Sequence, residues 1–305
     1  GRTNKLHISG TGRENKNKTD SQYNNSCTQV VGTHQSCDRQ QRKLAAQCEE
    51  LRRTEGREDI RHQAELVTAN IYRLRRGDRS LECEDYYDPA CPVVHIELDP
   101  LKTPQQNAAA LYKEYNKLKA AEQHLTVLTR EGERQLDYLN SVLDELERAE
   151  TDRDLSDIRR ELTETGYIRA RKGGKAERVK PQSPLKFVSD DGLEILAGRS
   201  NAQNDELTLK LARRTDYWLH TQRVHGSHVI IRCEGEEPPP RTLEQAAGIA
   251  AYYSQARGAG KVQVDYTMVR NVRKPSGELP GKVIYTDHKT MLAESDGALA
   301  ERLKR

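Results

Sequence analysis

The residues best suited to chemistry lie in DYWLHTQRVHGSHVII, positions 216–231, which holds three histidines and the only tryptophan of the chain. Imidazole groups act as general acids and bases and bind metals, so this stretch has the side chains for either role. A zinc site here would use His220, His225, His228 and Cys233, separated by four, two and four residues. Zinc ligands usually come as closely spaced pairs on turns, so this spacing does not favour a metal site.

Two nearby motifs resemble catalytic or phosphate-binding loops without completing them. GSH at 226–228 lacks the second glycine of GxSxG, and it leads from a loop into a strand. RGAGK at 257–261 lacks the full GxxxxGK[ST] and lies between a predicted helix and a predicted strand, the reverse of the order that binds phosphate at a helix N-terminus. We therefore predict no catalytic residue, no metal and no cofactor, and we interpret the chain as a non-enzyme.

Recognition of RNA is the remaining interpretation of this region. In a strand across DYWLH, Asp216, Trp218 and His220 share one face, which we expect to be half exposed. Aromatic side chains could stack on bases and basic ones could pair with phosphates; those available are Trp218, Tyr252, Tyr253, Tyr266, Arg199, Arg270, Arg273, Lys274 and Lys282. Tyrosines on strands also pack into cores, so packing remains open as the alternative.

Composition limits how such a surface can be built. The length of 305 residues suits two or three domains, and the hydrophobic fraction of 34% implies that much of the chain is exposed. The net charge is only +3, so any anion-binding surface must be local. The six cysteines form no CxxC pair, which favours free thiols. We expect a cytoplasmic protein without a membrane segment, since no long apolar run or signal core is present.

Heptad patterns predict a long antiparallel coiled coil. Residues 1–35 are polar without an apolar period, which predicts a disordered tail or remnant. From residue 36, apolar positions seven apart predict a first helical arm, with a break near Gly56 and a second helix ending at Gly77. Thr103 and Pro104 open the longest helix, which runs to about Ala149. Leucines seven residues apart form an apolar stripe along this helix. Gly132 occupies one of these positions, and the register of the stripe shifts there.

The rest of the chain predicts a small module, a linker and an α+β domain. Residues 80–103 read as a β-hairpin between the two arms, and DLSDIRRELTETG reads as a third helix. Residues 169–183 are basic and proline-containing, which indicates a linker that could also meet phosphates. Residues 184–305 alternate short strands with helices. The fold class is thus α+β, with a coiled-coil and middle region over 36–168.

Long composite motifs carry a resemblance to a known family. GRSNAQNDELTLKLARRTDYWLH, GSHVII, EQAAGIAAYYS and VQVDYTMVRNVRKPSGELPGKVIY resemble the NFACT-R domain of the RqcH/FbpA (NFACT) family. Upstream, ELVTANIYRLRRGD, YYDPACP and ELDPLKTPQQNAAALYKEYNKLKAAE resemble its coiled-coil and middle region. The resemblance covers roughly residues 36–305, and we expect the family's NFACT-N and helix-hairpin-helix parts to be missing. His225 departs from the motif, where relatives usually carry proline.

The resemblance implies ribosome-associated quality control. Such proteins bind the large ribosomal subunit with stalled peptidyl-tRNA, contact tRNA or rRNA, and support C-terminal alanine tailing; some were described as fibronectin-binding proteins, which leaves a surface adhesin as the alternative. The Asp-Arg pair linked to tailing belongs to the missing part, so no tailing residue is assigned. Residue chemistry and the resemblance together give these RNA-binding candidates: Arg199, Asn201, Gln203, Asn204, Asp205, Asp216, Trp218, His220, Ser227, His228, Tyr266, Thr267, Arg270, Arg273, Lys274 and Lys282.

Overall fold

The computed structural model describes the backbone of residues 11–168 and 182–305, and the side chains from Gly32 onward. The chain forms two compact units. Arg39–Leu136 forms the middle unit, and the residues before and after it form the terminal unit. The sequence predicted domain boundaries at residues 35, 168 and 183. The compact units have other boundaries, because the ends of the long helices group with the C-terminal sheet. The predicted domain boundaries stay a prediction. The predicted basic linker lies almost wholly outside the described residues.

Two long helices run through the N-terminal half of the chain. Helix α1 spans Thr11–Arg52, α2 spans Arg57–Ala69 and α3 spans Pro104–Arg148. The predicted start of α3 is confirmed: Thr103 Oγ1 accepts from Gln106 N at 3.2 Å while Gln106 Oε1 accepts from Thr103 N at 2.9 Å, a reciprocal cap.

The start of α1 differs from the sequence prediction. The helix begins at Thr11, whereas we predicted a disordered tail to residue 35. Polar residues do not prevent a helix, and no proline interrupts this stretch, so helical backbone continues N-terminal to the apolar period. Residues 1–10 lie outside the described part of the chain, so the prediction is not tested there.

In the middle unit, α1 and α3 run antiparallel, as predicted. Gln40 Nε2 of α1 donates to the Gly132 carbonyl of α3 at 3.2 Å, and Arg57, which begins α2 after the end of α1, pairs with Glu122 of α3 at 2.6 Å. Contacts made later in the first arm thus fall earlier on α3, as expected for antiparallel helices. At Gly132 the partner helix approaches so closely that an added Cβ would lie 3.1 Å from Leu44 Cδ1.

The predicted hairpin of the middle unit is confirmed. Strands β1 (Ser80–Glu84) and β2 (Val93–Glu97) pair antiparallel, and the Asp85 amide donates to the Pro92 carbonyl at 2.8 Å. One face of the hairpin packs with α2 and the start of α3; the buried members of this cluster are Leu66, Val67, Leu81, Cys83, Ile96, Leu98 and Ala108. Cys48 and Cys91 of the same unit are exposed thiols.

In the terminal unit, the end of α3 packs against α4 (Asp152–Glu164), which confirms the predicted third helix. Thr151 and Asp154 form a capping box at its start. The shared core is apolar and fully enclosed, consisting of Tyr138, Val142, Leu146, Leu155, Ile158 and Leu162. Helix α1 reaches this region as well, where the buried Cys37 thiol donates to Asn140 Oδ1 at 3.2 Å.

The C-terminal part is an antiparallel sheet, so the α+β prediction is confirmed. The elements of this part are β3 Leu185–Val188, β4 Glu194–Ala197, α5 Asn201–Glu206, β5 Tyr217–Thr221, β6 Val229–Ile231, α6 Pro240–Tyr252, β7 Lys261–Met268, β8 Val272–Arg273, β9 Ile284–Tyr285, β10 Lys289–Glu294 and α7 Gly297–Leu303. The strands of the sheet are ordered β10-β7-β5-β6-β4-β3. The sequence patterns did not predict β3, β8 or α7. A single π-helical turn, Leu207–Leu211, continues α5.

Both faces of the sheet are covered, because successive residues of a strand point to opposite sides. Tyr217 and Leu219 of β5 join the core beneath α6 and α7. Trp218, between them, joins a second cluster on the other face with Leu207 and Ile230. In the described part of the chain, no helix has a stretch long and apolar enough to cross a membrane.

Two buried carboxyl groups lie where α3, α4 and α5 meet in the terminal unit. Glu161 Oε1 accepts from the Tyr138 hydroxyl and Oε2 from the Ala202 amide, both at 2.8 Å. Glu145 Oε2 has no hydrogen-bond partner among the described residues. Burial raises the pKa of Glu145 well above its usual range, and the nearby charge of Glu161 raises it further. Burial raises the pKa of Glu161 as well, but hydrogen bonds from the Ala202 amide and the Tyr138 hydroxyl oppose that shift, so Glu145 is the member that holds a proton more readily.

The proton on Glu145 makes stability depend on pH. Unfolded glutamate ionises near pH ~4.3, whereas folded Glu145 stays protonated to higher pH. The folded state therefore binds more protons than the unfolded state above that point, and stability falls as pH rises toward the folded pKa. We expect Glu145→Gln to be more stable than wild type at pH 8, with a smaller difference at pH 4, in urea denaturation.

The control for this effect is Glu147→Gln, which removes the same charge from an exposed position on α3. If Glu145→Gln and Glu147→Gln shift the urea midpoint equally at every pH, the buried proton is not present.

The close approach at Gly132 predicts a position that does not tolerate a larger side chain. Gly132→Val should lower the free energy of unfolding by about 1–3 kcal/mol, because the added atoms would overlap Leu44. Gly32→Val is the matched control, since a Cβ at Gly32 would meet nothing within 4 Å and valine is a better helix former than glycine. Equal urea midpoints for the two variants would contradict the close packing.

Candidate nucleic-acid interface

Trp218 lies at the centre of an aromatic cluster and has no exposed surface. Its ring stacks on His220 at 5.7 Å between centroids, meets the edge of His228 at 5.2 Å and lies 4.7 Å from Tyr285. The prediction that this strand face is half exposed is therefore wrong for Trp218 and for Asp216. The reason is that the π-helical turn and the β8–β9 hairpin pack over the face and exclude water.

The two histidines of the cluster are neutral packing residues. Burial lowers the pKa of His220 to about 4, and burial also lowers the pKa of His228 well below its usual value. His228 Nδ1 lies 2.8 Å from Thr208 Oγ1, and its backbone amide donates to Asn204 Oδ1 at 2.9 Å. Among the residues that the structure describes, no group of three or more His, Cys, Asp or Glu is arranged to hold a metal ion.

The motif that contains α5 binds neighbouring elements of the protein. Asn201 Nδ2 donates to Ser141 Oγ at 2.8 Å, and Gln203 Nε2 donates to the Gln182 carbonyl at 2.5 Å. Asn201, Gln203 and Asn204 are all buried. Asn201 and Gln203 therefore link α5 to α3 and to the segment after α4, whereas Asn204 donates to the Gly226 carbonyl before β6.

Two glycines of the motif make this network possible. A Cβ on Gly198 would overlap Asn204 Oδ1, and a Cβ on Gly281 would overlap Asn201 Oδ1. Gly281 also has φ +80°, a conformation that favours glycine. The glycines are therefore needed for the close approach of the amide side chains.

Charged candidates of the motif are paired as well. Lys274 Nζ donates to Asp205 Oδ2 and to the Leu279 carbonyl, both at 2.6 Å, and Asp205 Oδ1 accepts from Gly281 N. Burial raises the pKa of Asp205, and the Lys274 ammonium opposes that shift. Arg199 pairs with Asp154 at 3.3 Å. Neither cation presents its charge freely to a ligand.

The remaining motif residues near the sheet divide into buried and exposed groups. Asp216 accepts from the Arg213 and Cys233 amides and pairs with Arg232 at 3.2 Å. Three candidates are buried or half-buried through contacts inside the domain: Ser227 donates to the Gly198 carbonyl, Thr267 donates to the Thr286 carbonyl, and Tyr266 lies on β7 against the main core. Exposed basic candidates are Arg270, Arg273 and Lys282.

The exposed basic side chains differ in whether a nearby carboxylate balances their charge. Lys282 lies 3.6 Å from Asp137, so its charge is partly balanced. Arg270 and Arg273 have no ion pair with the described residues. Three further exposed cations, Lys210, Arg213 and Arg214, lie in the segment that leads into β5. Sequence reasoning did not single them out, although the adjacent arginines of LARRTD precede the strand directly.

Two family models match the chain. One, for "NFACT N-terminal and middle domains", matches residues 12–181, and the other, for "NFACT protein RNA binding domain", matches residues 184–286. The first match begins well before residue 36, where we expected the resemblance to start. The second covers the sheet apart from strand β10, together with the aromatic cluster and the exposed arginines described above.

Curated relatives and one solved structure agree with these matches. The Rqc2 homolog RqcH of Bacillus subtilis is 38% identical over 257 residues, which are 84% of this chain and 45% of that protein. The NEMF homolog of Drosophila melanogaster, a ribosome quality control complex subunit, is 28% identical over 201 residues, 65% of this chain and 18% of that protein.

The solved structure is the C-terminal of the fibronectin/fibrinogen-binding protein from Streptococcus suis. It superposes with a TM-score of 0.73 at 31% identity, and the match covers 94% of this chain and 100% of that one. The chain spans less than half the length of the curated relatives. Because the two family models together match most of the sequence, the chain belongs to the NFACT family and carries its RNA-binding domain.

Proposed function

We propose that this chain acts in ribosome-associated quality control, and that it does so by binding RNA through its C-terminal domain. The match of residues 184–286 to an RNA-binding domain is the observation that carries the proposal. The names of the RqcH and NEMF relatives support the same process. In this proposal the protein is a cytoplasmic binding factor and not an enzyme.

The finer part of the proposal concerns the partner. The RNA is ribosomal or transfer RNA on a large ribosomal subunit that carries a stalled peptidyl-tRNA. Binding there would support C-terminal alanine tailing of the stalled chain. No tailing residue is assigned.

The surface chemistry supports contacts to phosphates over contacts to bases. The aromatic residues Trp218 and Tyr253 are buried, so neither can stack on a base in this conformation. The arginines at 270 and 273 are exposed, and guanidinium groups pair well with phosphate oxygens. RNA affinity should then come mainly from charge.

Binding to RNA should fall steeply with salt, because phosphate contacts release condensed counterions. We expect the chain to bind tRNA and to sediment with large ribosomal subunits at about 50 mM salt, with roughly 10-fold or greater loss of affinity by about 200 mM. Sedimentation and anisotropy titrations would measure this. Absence of binding at low salt, or affinity that does not change with salt, would count against the proposal.

The second candidate function is that of a surface adhesin for fibronectin. It is favoured by the likeness to the fibronectin/fibrinogen-binding protein structure. The two functions separate in one experiment: capture of fibronectin by the purified chain, before and after nuclease treatment. Capture that persists without nucleic acid favours the adhesin, and capture that disappears favours the RNA-binding function.

Replacement of Lys274 should lower the stability of the protein more than replacement of Arg270, although the two residues are close in sequence. Lys274→Gln leaves Asp205 without its cation, so we expect a loss of stability on the order of 1–3 kcal/mol. Arg270→Gln changes an exposed side chain, so stability should stay within about 0.5 kcal/mol. Urea denaturation would measure both, and equal destabilisation would contradict the structural role of Lys274.

A further inference from the structure

We infer that five cations at one end of the C-terminal domain form a phosphate-binding surface for RNA. They are Lys210, Arg213, Arg214, Arg270 and Arg273, here called the basic end. The inference rests on the proposed function and deepens it, because it names the residues and the part of the RNA that they contact. The family motifs alone do not single out this set.

Backbone contacts bring the members of the basic end together. The Arg270 amide donates to the Arg214 carbonyl at 3.2 Å, and the Val269 amide donates to the Asp216 carbonyl at 2.9 Å. These bonds hold the turn after β7 against the loop before β5. The arginines at 213, 214 and 270 therefore leave neighbouring stretches of backbone.

The other two members lie on elements that join this region. Lys210 is in the π-helical turn, which ends where the Ala212 amide donates to the Leu207 carbonyl at 2.8 Å. Lys210 acts electrostatically on Asp205, the carboxylate that holds Lys274. Arg273 precedes Lys274 directly and pairs with Ile284 in the β8–β9 hairpin. π-helical turns often occur at functional sites, which agrees with this placement.

The charge of the basic end is available to a ligand. All five side chains are exposed, and among the described residues only Arg213 has an ion pair, with Glu234 at 3.7 Å. Glu234 is 92% exposed, so water and salt weaken that pair. Asp216, which lies in the same loop, is buried and bonded to Arg232 and to backbone amides.

The surface near these cations suits the RNA backbone better than the bases. The exposed apolar side chains there are aliphatic: Leu209, Leu211 and Ile284. Trp218, which could stack, is buried beneath the turn, and its neighbour Tyr285 is partly buried and donates to Asp265. Binding by the basic end should consequently depend on phosphate spacing and salt and be insensitive to base sequence.

The test compares two triple variants of the full chain. The first is Lys210→Gln, Arg214→Gln and Arg270→Gln. The control is Arg223→Gln, Arg257→Gln and Lys261→Gln, which removes the same charge at the other end of the sheet, since β7 begins at Lys261 and β5 ends at Thr221. The probe is a labelled RNA hairpin, made in two versions with unrelated base sequences.

We expect the first triple variant to bind both hairpins about 10-fold or more weakly at moderate salt. The slope of log affinity against log salt should fall in magnitude by roughly 2–3, because each neutralised phosphate contributes about 0.9 to that slope. The control should keep most of the affinity and the slope of the unmodified chain.

Other outcomes have distinct meanings. If the unmodified chain binds neither hairpin, the proposed function fails together with the inference. If it binds and both triple variants bind equally weakly, RNA binding stands and the basic end is overturned.

If the two hairpins differ strongly in affinity, the chain reads bases and the phosphate assignment is overturned. If the first triple variant keeps RNA binding but no longer binds polyglutamate, the basic end is a site for an acidic protein partner and the inference is overturned.

Discussion

The terminal unit depends on satisfying buried polar groups around α5. A buried donor or acceptor left without a partner costs about 1–3 kcal/mol, so the amide side chains in this segment can adopt few alternative arrangements. Asn201 and Gln203 bond outward to Ser141 and to residue 182, while Asn204 bonds inward to the β6 turn. The helices before the sheet and the sheet itself therefore fold as one unit with a specific set of partners.

This network changes how the motif residues are interpreted. Polar residues that form a long, specific sequence signature suggest ligand contacts when only the sequence is available. Here most of them bond to the protein, and the exposed cations lie at its margin. The resemblance thus identified the domain correctly, while the division between structural and ligand-facing residues required burial and hydrogen-bond partners.

The elements that the sequence predicted well have strong local signals. Pro104 with a capping residue, the apolar stripe of α3 and the alternation across β5 all specify their structures within a few turns or residues. The errors depend on contacts distant in sequence. Trp218 is buried by the β8–β9 hairpin, and β3 is completed by pairing with β4, so neither result could be read from the local pattern.

The distribution of thiols has a practical consequence. Cys37, Cys83 and Cys233 are enclosed, whereas Cys48 and Cys91 of the middle unit are open to solvent. A maleimide dye applied to the folded protein would reach these two before the enclosed ones. Of the thiols with described surroundings, the reactive pair thus offers attachment points for reporters on the hairpin and helix region without altering the sheet domain.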